Sequence, residues 1–213
     1  VEVWYSNVFE DDLIFEQLER LALAQRIASI HAPFGDHIDI SSLDESVRRA
    51  GVDACITAAE LLARLGGKTL VVHGSTAINN LAELPERTSQ SVKSIAEIAD
   101  KCGESGAQVA VELLPAPLLG NSAPELLTFL GLTGRANVGV CIDVNHVFPP
   151  DLLVQTIHAL GDRIFTLHIA DYDGVGEKHW LPLLGTIDWP GLVHALREVR
   201  YPGPFMYEVR FET

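Results

Sequence analysis

The sequence predicts an α/β barrel, and three observations lead to that prediction. Short apolar runs alternate along the chain with longer segments in which apolar residues recur every three or four positions. The runs are rich in Val, Ile, Leu and Ala, which is typical of parallel strands that are covered on both faces. No run is followed by a glycine-rich phosphate-binding loop, which a doubly wound nucleotide-binding sheet usually carries after its first strand. We therefore favour a (β/α) barrel over a doubly wound open sheet.

Seven apolar runs are the predicted strands. A barrel of this kind usually has eight strands in about 250 residues, whereas this chain has 213 residues. We expect residues 1–213 to form a single barrel domain whose first strand–helix unit and last helix lie outside this chain; a shortened, seven-stranded barrel is the alternative. The predicted strands are Val1–Ser6, Ile27–Phe34, Lys68–Gly74, Ala107–Leu113, Val138–Val144, Ile164–Ala170 and Pro204–Phe211.

Six segments with helical spacing of apolar residues lie between these strands. Helix-start signals accompany several of them: Ser42 or Asp44 before the second, Pro85 at the start of the third, and Asp188 before the sixth. The predicted helices are Asp12–Arg26, Glu45–Leu65, Pro85–Ser105, Ala123–Leu132, Pro150–Leu160 and Trp189–Val199.

Composition and charge exclude several classes of function. The net charge of -14 argues against general nucleic-acid binding, because an acidic surface repels phosphate backbones. No apolar run approaches the roughly 18 residues that a membrane span needs, and the first residues show no signal-peptide pattern. Three widely spaced cysteines predict reduced thiols in a cytoplasmic protein rather than a disulfide framework.

Side chains that commonly bind metals stand at the C-terminal ends of six predicted strands. In a parallel barrel these ends point to one face, where active sites are built. A buried carboxylate without a partner is costly, and convergence on a divalent cation removes that cost. The mixture of nitrogen and oxygen ligands suits manganese, zinc, cobalt or iron, with magnesium as a further candidate. The residues are His31, His73, Glu112, Asp143 with His146, His168, and Glu208.

Two more candidate ligands, Glu177 and His179, follow the sixth predicted strand. Their i, i+2 spacing lets both side chains point the same way from an extended segment. A single histidine at a strand end is more often a hydrogen-bonded core residue than a ligand, but six such strand ends together favour a metal site. The other histidines, His37, His158 and His194, are expected to be surface or packing residues.

Several segments of the chain together match a known family pattern. They are His31-Ala-Pro, Val-Val-His73-Gly, Val-Glu112, Cys-Ile-Asp143-Val-Asn-His146, Leu-His168-Ile-Ala-Asp171, Gly-Glu177-Lys-His179, Gly-Thr-Ile-Asp188-Trp189 and Tyr-Glu208-Val-Arg210. In this order, over nearly the whole chain, the sequence resembles the xylose-isomerase-like TIM barrels of the AP endonuclease family 2 group. That group contains sugar-phosphate isomerases and epimerases as well as endonuclease IV. The motifs are specific to the superfamily, not to one reaction.

The resemblance implies a single-metal site formed by Glu112, Asp143, His168 and Glu208. It further implies that the two glutamates act as acid and base on the substrate carbon and that His146 lies near a substrate oxygen.

A fuller set of candidate ligands resembles the three-metal site of endonuclease IV. In that enzyme the loop pair is normally Asp-x-His, whereas this chain has Glu177-Lys178-His179, which puts a third metal in doubt. The additional candidates for metal or substrate binding are His31, His73, Glu177 and His179.

The favoured function is a divalent-metal-dependent isomerase or epimerase of a small sugar or sugar phosphate. Proton transfer would pass through a metal-stabilised enediolate, with Glu112 and Glu208 taking and returning the proton and His146 donating to the developing oxyanion. Aromatic side chains over the mouth would stack on the sugar, and basic ones would bind a phosphate or carboxylate. These candidate substrate-binding residues are Phe34, Trp180, Lys178 and Arg210.

Two other functions stay open. An endonuclease IV-like, metal-dependent phosphodiesterase is supported by the ligand set and opposed by the negative charge. A non-catalytic metal-binding barrel is the third reading. Because an open barrel exposes apolar strand edges, we also expect the shortened chain either to pair with another copy of itself as a homo-oligomer or to aggregate. The expected partner is otherwise a small-molecule sugar or sugar phosphate, not a nucleic acid or a membrane.

Overall fold

The computed structural model describes residues 1–5, 16–17, 20, 26–76 and 78–210. Seven strands form one sheet in chain order, and every neighbouring pair is parallel. The predicted parallel barrel is thus confirmed, and each strand lies within the apolar run that predicted it. The strands are β1 (Glu2–Trp4), β2 (Ser29–His31), β3 (Thr69–Val72), β4 (Gln108–Glu112), β5 (Val138–Asp143), β6 (Ile164–Ile169) and β7 (Phe205–Tyr207).

Within the described residues, one α-helix connects each pair of successive strands from β2 onward. Four of these helices match the predicted bounds to within one residue at each end. The fourth begins three residues later than predicted, because Pro150–Leu152 forms a 3₁₀ turn before it. The first predicted helix, Asp12–Arg26, lies almost entirely outside the described residues. The helices are α1 (Glu45–Arg64), α2 (Leu84–Glu104), α3 (Ala123–Thr133), α4 (Leu153–Leu160) and α5 (Trp189–Glu198).

Side-chain caps fix the start of two helices. Of the two candidates before α1, Asp44 is the N-cap, since its carboxylate accepts a hydrogen bond from the Ser46 backbone N–H at 2.8 Å. Asp188 caps α5 by accepting from the Gly191 N–H at 3.0 Å. The second cap also fixes the end of the long segment between β6 and α5.

The barrel interior and the layer beneath the helices are packed separately. Inside the barrel, the fully buried Val71, Ala110 and Cys141 pack together. Outside it, larger side chains such as Leu62 and Ile95 fill the space between sheet and helices. Both layers arise because successive side chains of a strand point to opposite faces. These small residues fill part of the barrel interior below the polar strand ends.

Strand register places the polar side chains at one rim. Asp143 of β5 is paired with His168 of β6, and Trp4 of β1 is paired with His31 of β2. Because all strands run in the same direction, their C-terminal ends meet at the same face of the barrel.

The two outer strands, β1 and β7, each have a single neighbour among the described residues. A further strand–helix unit and a last helix outside this chain, and the assignment of residues 1–213 to one domain, stay predictions. In the described part of the chain, no helix combines the length and the apolarity needed to cross a bilayer.

Two helical glycines should respond oppositely to replacement by alanine. A Cβ at Gly51 in α1 would lie 2.3 Å from the Ile38 carbonyl oxygen, whereas a Cβ at Gly131 in α3 meets no atom within 4 Å. We expect Gly51→Ala to lower the free energy of unfolding by about 1–3 kcal/mol through overpacking. Gly131→Ala should raise it by about 0.4–1 kcal/mol. Urea denaturation of both variants tests this, and a stabilising Gly51→Ala would contradict the packing of α1 on the segment around Ile38.

Candidate functional site

Four side chains from neighbouring strand ends form a compact cluster. Glu112 ends β4, Asp143 ends β5, His168 lies in β6, and Glu208 follows β7. Each offers one ligand atom, and all four atoms lie within 4.8 Å of one another. Glu112, Asp143 and His168 are buried, while the Glu208 side chain is 35% exposed. This four-residue cluster consists of the residues that the family resemblance implies as a single-metal site.

Several polar atoms of the four-residue cluster lack an aligned hydrogen-bond partner. The buried atoms without such a partner include Asp143 Oδ2, His168 Nδ1 and Glu208 Oε2. Leaving such groups unpaired is costly, and three carboxylates so close together also repel one another. A divalent cation would satisfy the orphaned atoms and offset the repulsion. The donor set of three carboxylates and one imidazole suits such an ion.

A second group of three side chains shares Glu112 with the first. His31 Nε2 lies 3.0 Å and His73 Nε2 lies 3.3 Å from Glu112 Oε2. His31 Nδ1 donates its proton to the Ala32 carbonyl oxygen at 2.8 Å, which leaves its Nε2 as the nitrogen available to a cation. Ligand atoms of His31, His73 and Glu112 also lie within 4.8 Å of one another. The site can therefore hold a cation on either side of Glu112.

His146 lies beside both groups but belongs to neither. Its Nδ1 donates to the Leu113 carbonyl oxygen at 2.9 Å, and its Nε2 lies 3.4 Å from Glu177 Oε2. Burial disfavours the charged ring, but the carboxylates of Asp143, Glu112 and Glu177 outweigh it and raise the pKa of His146 to about 11. The ring is therefore suited to donate a proton or a hydrogen bond to a substrate oxygen.

Burial and neighbouring charges shift the pKa values of two carboxyl groups of the four-residue cluster in opposite directions. Burial raises the pKa of Asp143 to about 6, with Glu112 and Glu208 acting in the same direction and His146 opposing them. Burial also opposes ionisation of Glu112, yet His168, His73 and His146 hold its pKa well below the ordinary value. Glu112 therefore holds its negative charge more firmly than Asp143 does.

The segment between β6 and α5 is anchored by one buried carboxylate, Asp171. Its Oδ1 accepts backbone hydrogen bonds from Tyr172 at 2.9 Å and Ile187 at 3.2 Å. Its Oδ2 accepts from the Leu183 N–H and from the Trp189 indole N–H, both at 2.9 Å. Four donors on one carboxylate pin both ends of this segment, which we call the 171–189 loop.

Glu177 and His179 of the 171–189 loop bond to each other. The His179 backbone lies in the left-handed region with φ of 53°, which is unusual for a residue other than glycine. Its Nδ1 donates to the Glu208 carbonyl oxygen at 2.9 Å, and its Nε2 lies 2.6 Å from Glu177 Oε1. Neither residue joins a group of three potential ligands among the described residues.

A cavity of about 450 Å³ opens at the polar rim. Of the four predicted substrate-binding side chains, Phe34 and Arg210 line this cavity. The structure does not bring Lys178 and Trp180 into it. The Lys178 amine lies 3.4 Å from a carboxylate oxygen of Asp173, and the Trp180 backbone forms a β-bridge at the base of the 171–189 loop.

Aromatic rings form one wall of the cavity. Trp4 stacks on His31 with ring centroids 4.4 Å apart and an interplanar angle of 5°. Phe34 stacks on His73 at 3.8 Å and 20°. Trp4 and Phe34 are 52% and 39% exposed, so each offers an open ring face beside the histidines. An apolar face of a small ligand can pack against this wall.

Three residues of the site were missed by the sequence analysis. Trp4 ends β1, and a search of the strand ends for aromatic residues as well as for metal ligands would have found it. Glu2 is a lone charge within an apolar run, which is itself a signal. Asn145 is buried, and its Oδ1 accepts from the backbone N–H groups of Lys178 at 3.2 Å and His179 at 3.1 Å, so it ties the end of β5 to the 171–189 loop.

Comparison with known proteins assigns the family. The xylose isomerase-like TIM barrel family model matches residues 2–213, and the chain belongs to that family. It is 29% identical to an uncharacterized protein of Sinorhizobium fredii over 178 residues, and the aligned region covers 76% of this chain and 53% of that protein. It is 25% identical to the ketose 3-epimerase of Arthrobacter globiformis over 199 residues, and the aligned region covers 90% of this chain and 67% of that protein. The chain thus spans between 53 and 67% of the length of these curated relatives.

Solved structures share the fold. The D-psicose 3-epimerase from Clostridium cellulolyticum superposes with a TM-score of 0.86 at 21% identity, covering 100% of this chain and 75% of that one. The 3-keto-D-glucoside 4-epimerase from E. coli superposes with a TM-score of 0.78 at 22% identity, covering 94% of this chain and 80% of that one. At such identities the likeness establishes the shared barrel fold.

Replacing Asp171 by asparagine should destabilise the 171–189 loop. In one orientation of the asparagine amide, its NH₂ group replaces Oδ2 and faces the donors of Leu183 and Trp189. In the other orientation it replaces Oδ1 and faces the backbone N–H groups of Tyr172 and Ile187. Either way, two buried donors lose their acceptor. We expect a loss of about 1–3 kcal/mol in unfolding free energy and faster amide exchange over residues 172–188. Asp173→Asn is the matched control, because Asp173 accepts from Val175 and Gly176 through one oxygen that asparagine retains. Equal stability of the two variants would contradict the anchoring role.

Metal affinity should rise with pH between about 5 and 8. Below pH 6 a proton occupies Asp143, whose pKa is raised to about 6, and the pKa of His168 is raised well above its ordinary value despite burial. Protons therefore compete with a cation for these atoms, and binding must release them. Titration calorimetry with Mn²⁺ in two buffers of different ionisation enthalpy measures the proton release. An affinity independent of pH would contradict a metal site at these residues.

Proposed function

We propose that this chain is a divalent-metal-dependent epimerase or isomerase of a small unphosphorylated sugar such as a ketose. The observation that carries the proposal is the four-residue cluster, whose ligand atoms converge as a cation site requires and whose two glutamates line the cavity. The similarity to a ketose 3-epimerase and to the D-psicose and 3-keto-D-glucoside epimerases supports the substrate class.

The cluster would hold the ion through Glu112, Asp143, His168 and Glu208. When bound, the ion supplies a Lewis acid that polarises a carbonyl group and stabilises negative charge on its oxygen. The metal identity proposed is manganese, zinc, cobalt or magnesium, since all accept this mixture of ligands.

Two glutamates of the cluster are the proposed acid and base. Glu208 is partly exposed and lines the cavity, so its carboxylate can reach a substrate carbon. Glu112 also lines the cavity, and the surrounding imidazoles keep it ionised. Removal of a proton by one glutamate, as the carboxylate, and delivery of a different proton to the opposite face by the other, as the carboxylic acid, would invert the carbon between them.

His146 is the proposed donor to the substrate oxygen. Its raised pKa keeps the imidazole protonated at neutral pH, and the ring lines the same cavity as the two glutamates. The Leu113 carbonyl oxygen holds Nδ1 at 2.9 Å, so Nε2 is directed toward Glu177 and the cavity. A hydrogen bond from Nε2 would stabilise charge that develops on the oxygen.

The charges of the cavity favour a neutral substrate over a sugar phosphate. Among the described residues, the lining carries the acidic side chains Asp36, Glu112, Glu177 and Glu208 against two cationic ones, Arg210 and the protonated His146. The Arg210 guanidinium already lies 3.2 Å from Glu177 Oε1. The His146 ring likewise lies 3.4 Å from carboxylate oxygens of Glu112, Asp143 and Glu177, so both cationic side chains already have acidic partners that a phosphate dianion would have to displace. A polyol can instead use the carboxylates as hydrogen-bond acceptors and pack its C–H face on the aromatic wall.

A second candidate is metal-dependent phosphodiester hydrolysis, and the group of His31, His73 and Glu112 is the observation that favours it. Two cations that share Glu112 would form the clamp that such hydrolysis uses. The net charge of -14 opposes binding of a nucleic-acid backbone. Elemental analysis separates the candidates: one metal per chain supports the epimerase, and two or more support hydrolysis.

Replacing Glu208 by glutamine should abolish epimerisation. We expect the purified chain with Mn²⁺ or Co²⁺ to exchange a carbon-bound proton of a ketohexose or ketopentose with D₂O, as detected by NMR. Because the variant loses both a base and a charged ligand, kcat should fall by at least about 10²-fold. Glu104→Gln, an exposed substitution at the end of α2, is the control and should keep full activity.

Substrate pairs test the charge argument in the same assay. The free ketose should be converted with higher kcat/KM than its phosphate ester. Conversion of phosphate esters alone would overturn the choice of a neutral substrate. Activity retained by Glu208→Gln, or no turnover of any ketose with any of these metals, would overturn the proposed reaction.

A further inference from the structure

The carboxylate of Glu2 on β1 has no role in the reaction described above. Its side chain is only 13% exposed, although its strand is an apolar run. Oε1 lies 2.8 Å from His168 Nε2, and Oε2 accepts a hydrogen bond from the Ser29 hydroxyl at 2.6 Å. β1 and β6 are not neighbours in the sheet, so the contact with His168 crosses the barrel interior. A buried carboxylate held in this way requires a reason.

The two ring nitrogens of His168 face different groups. Nδ1 lies 2.9 Å from Glu208 Oε2 and 3.6 Å from Glu112 Oε1, so it faces the four-residue cluster. Nε2, on the other side of the ring, faces Glu2. A neutral imidazole carries one N–H, and only the nitrogen without it can bind a cation. A carboxylate at Nε2 holds the proton there and leaves the lone pair of Nδ1 free.

We infer that Glu2 is a positioning residue that sets the tautomer and orientation of His168, so that Nδ1 becomes the metal ligand. The inference rests on the proposed function to the extent that both need a metal in the four-residue cluster. Neither nitrogen of His168 has an aligned hydrogen bond, although Glu2 is at hydrogen-bond distance. The ring is thus held between two acidic groups, and a cation at Nδ1 would complete its orientation.

Glu2 is placed to act through His168 rather than to bind the cation directly. It is not among the four side chains whose ligand atoms converge. Its Oε1 contacts the nitrogen of His168 that faces away from Glu208, and its Oε2 is held by Ser29. Ser29, Glu2 and His168 therefore form a chain of contacts from β2 through β1 to β6. The last member of this chain is the proposed ligand.

Metal affinity measured without substrate tests this inference. The wild-type chain and the variants Glu2→Ala, Glu2→Gln and Ser29→Ala would be stripped of metal and titrated with Co²⁺, following both calorimetry and the visible absorption of the bound ion. Glu2→Ala should weaken the Kd by about 10- to 100-fold and change the Co²⁺ spectrum. Glu2→Gln should weaken the Kd less, because its amide oxygen can take the place of Oε1 beside Nε2 and accept a proton from it in the metal-bound state. Ser29→Ala should weaken the Kd least. Glu104→Gln is the surface control and should match the wild type.

The outcomes separate this inference from the proposed function. A Kd within twofold of the wild type and an unchanged spectrum for Glu2→Ala would overturn the positioning role. If Glu2→Ala does not fold by circular dichroism, the same comparison on Glu2→Gln decides, with at least a threefold weaker Kd supporting the role. A wild-type chain that binds Co²⁺ but converts no ketose would overturn the proposed function, while the Kd series still decides the role of Glu2.

Discussion

The buried carboxylate of Glu112 is surrounded by four imidazoles, and the rest of the site depends on this arrangement. Nitrogens of His31, His73, His146 and His168 lie 3.0–3.6 Å from its two oxygens. A carboxylate with 2% exposure is tolerable only where such partners compensate for lost hydration. The four histidines come from the ends of four different strands, so the negative charge of Glu112 interacts with side chains from most of one rim of the barrel. That same charge is shared by both groups of potential ligands, which explains how one rim can offer two adjacent places for a cation.

The 171–189 loop converts this polar rim into a cavity. Asp171 pins both ends of the loop through four donors, and Asn145 holds its middle from the end of β5. His179 adopts a left-handed backbone because the surrounding contacts over-determine it, including the hydrogen bond from Arg210 N–H to its carbonyl oxygen. In consequence the Glu177 carboxylate lies beside the rings of His146 and His179. Glutamate stands here where endonuclease IV normally has aspartate, and its longer side chain bonds to His179 of the same loop. Function at the rim therefore combines a rigid strand-borne cluster with a loop held by buried polar anchors.

Most of the fold follows from local patterns, and the sequence analysis recovered them. Parallel strands buried on both faces read as short apolar runs, so all seven were predicted, and four helices were placed to within one residue at each end. The late start of α4 was missed because a 3₁₀ turn and an α-helix share the same apolar spacing over three residues. That Glu112, Asp143, His168 and Glu208 lie at one face was predictable for a simple geometric reason: parallel strand ends meet there. The choice of these four among all the strand-end candidates came from the family resemblance.

Amino-acid order by itself determined the class of fold, the positions of the strands and the set of side chains at the rim, because periodicity and strand polarity are local properties. Only the tertiary structure decided which of these side chains meet. It set Glu2 against His168 across the barrel and made Trp4 part of the cavity wall, while the amine of Lys178 was turned toward Asp173. These outcomes depend on loop conformation and on contacts between strands that are not neighbours in the sheet. Such contacts are governed by packing and charge in three dimensions, which the spacing of residues along the chain does not encode.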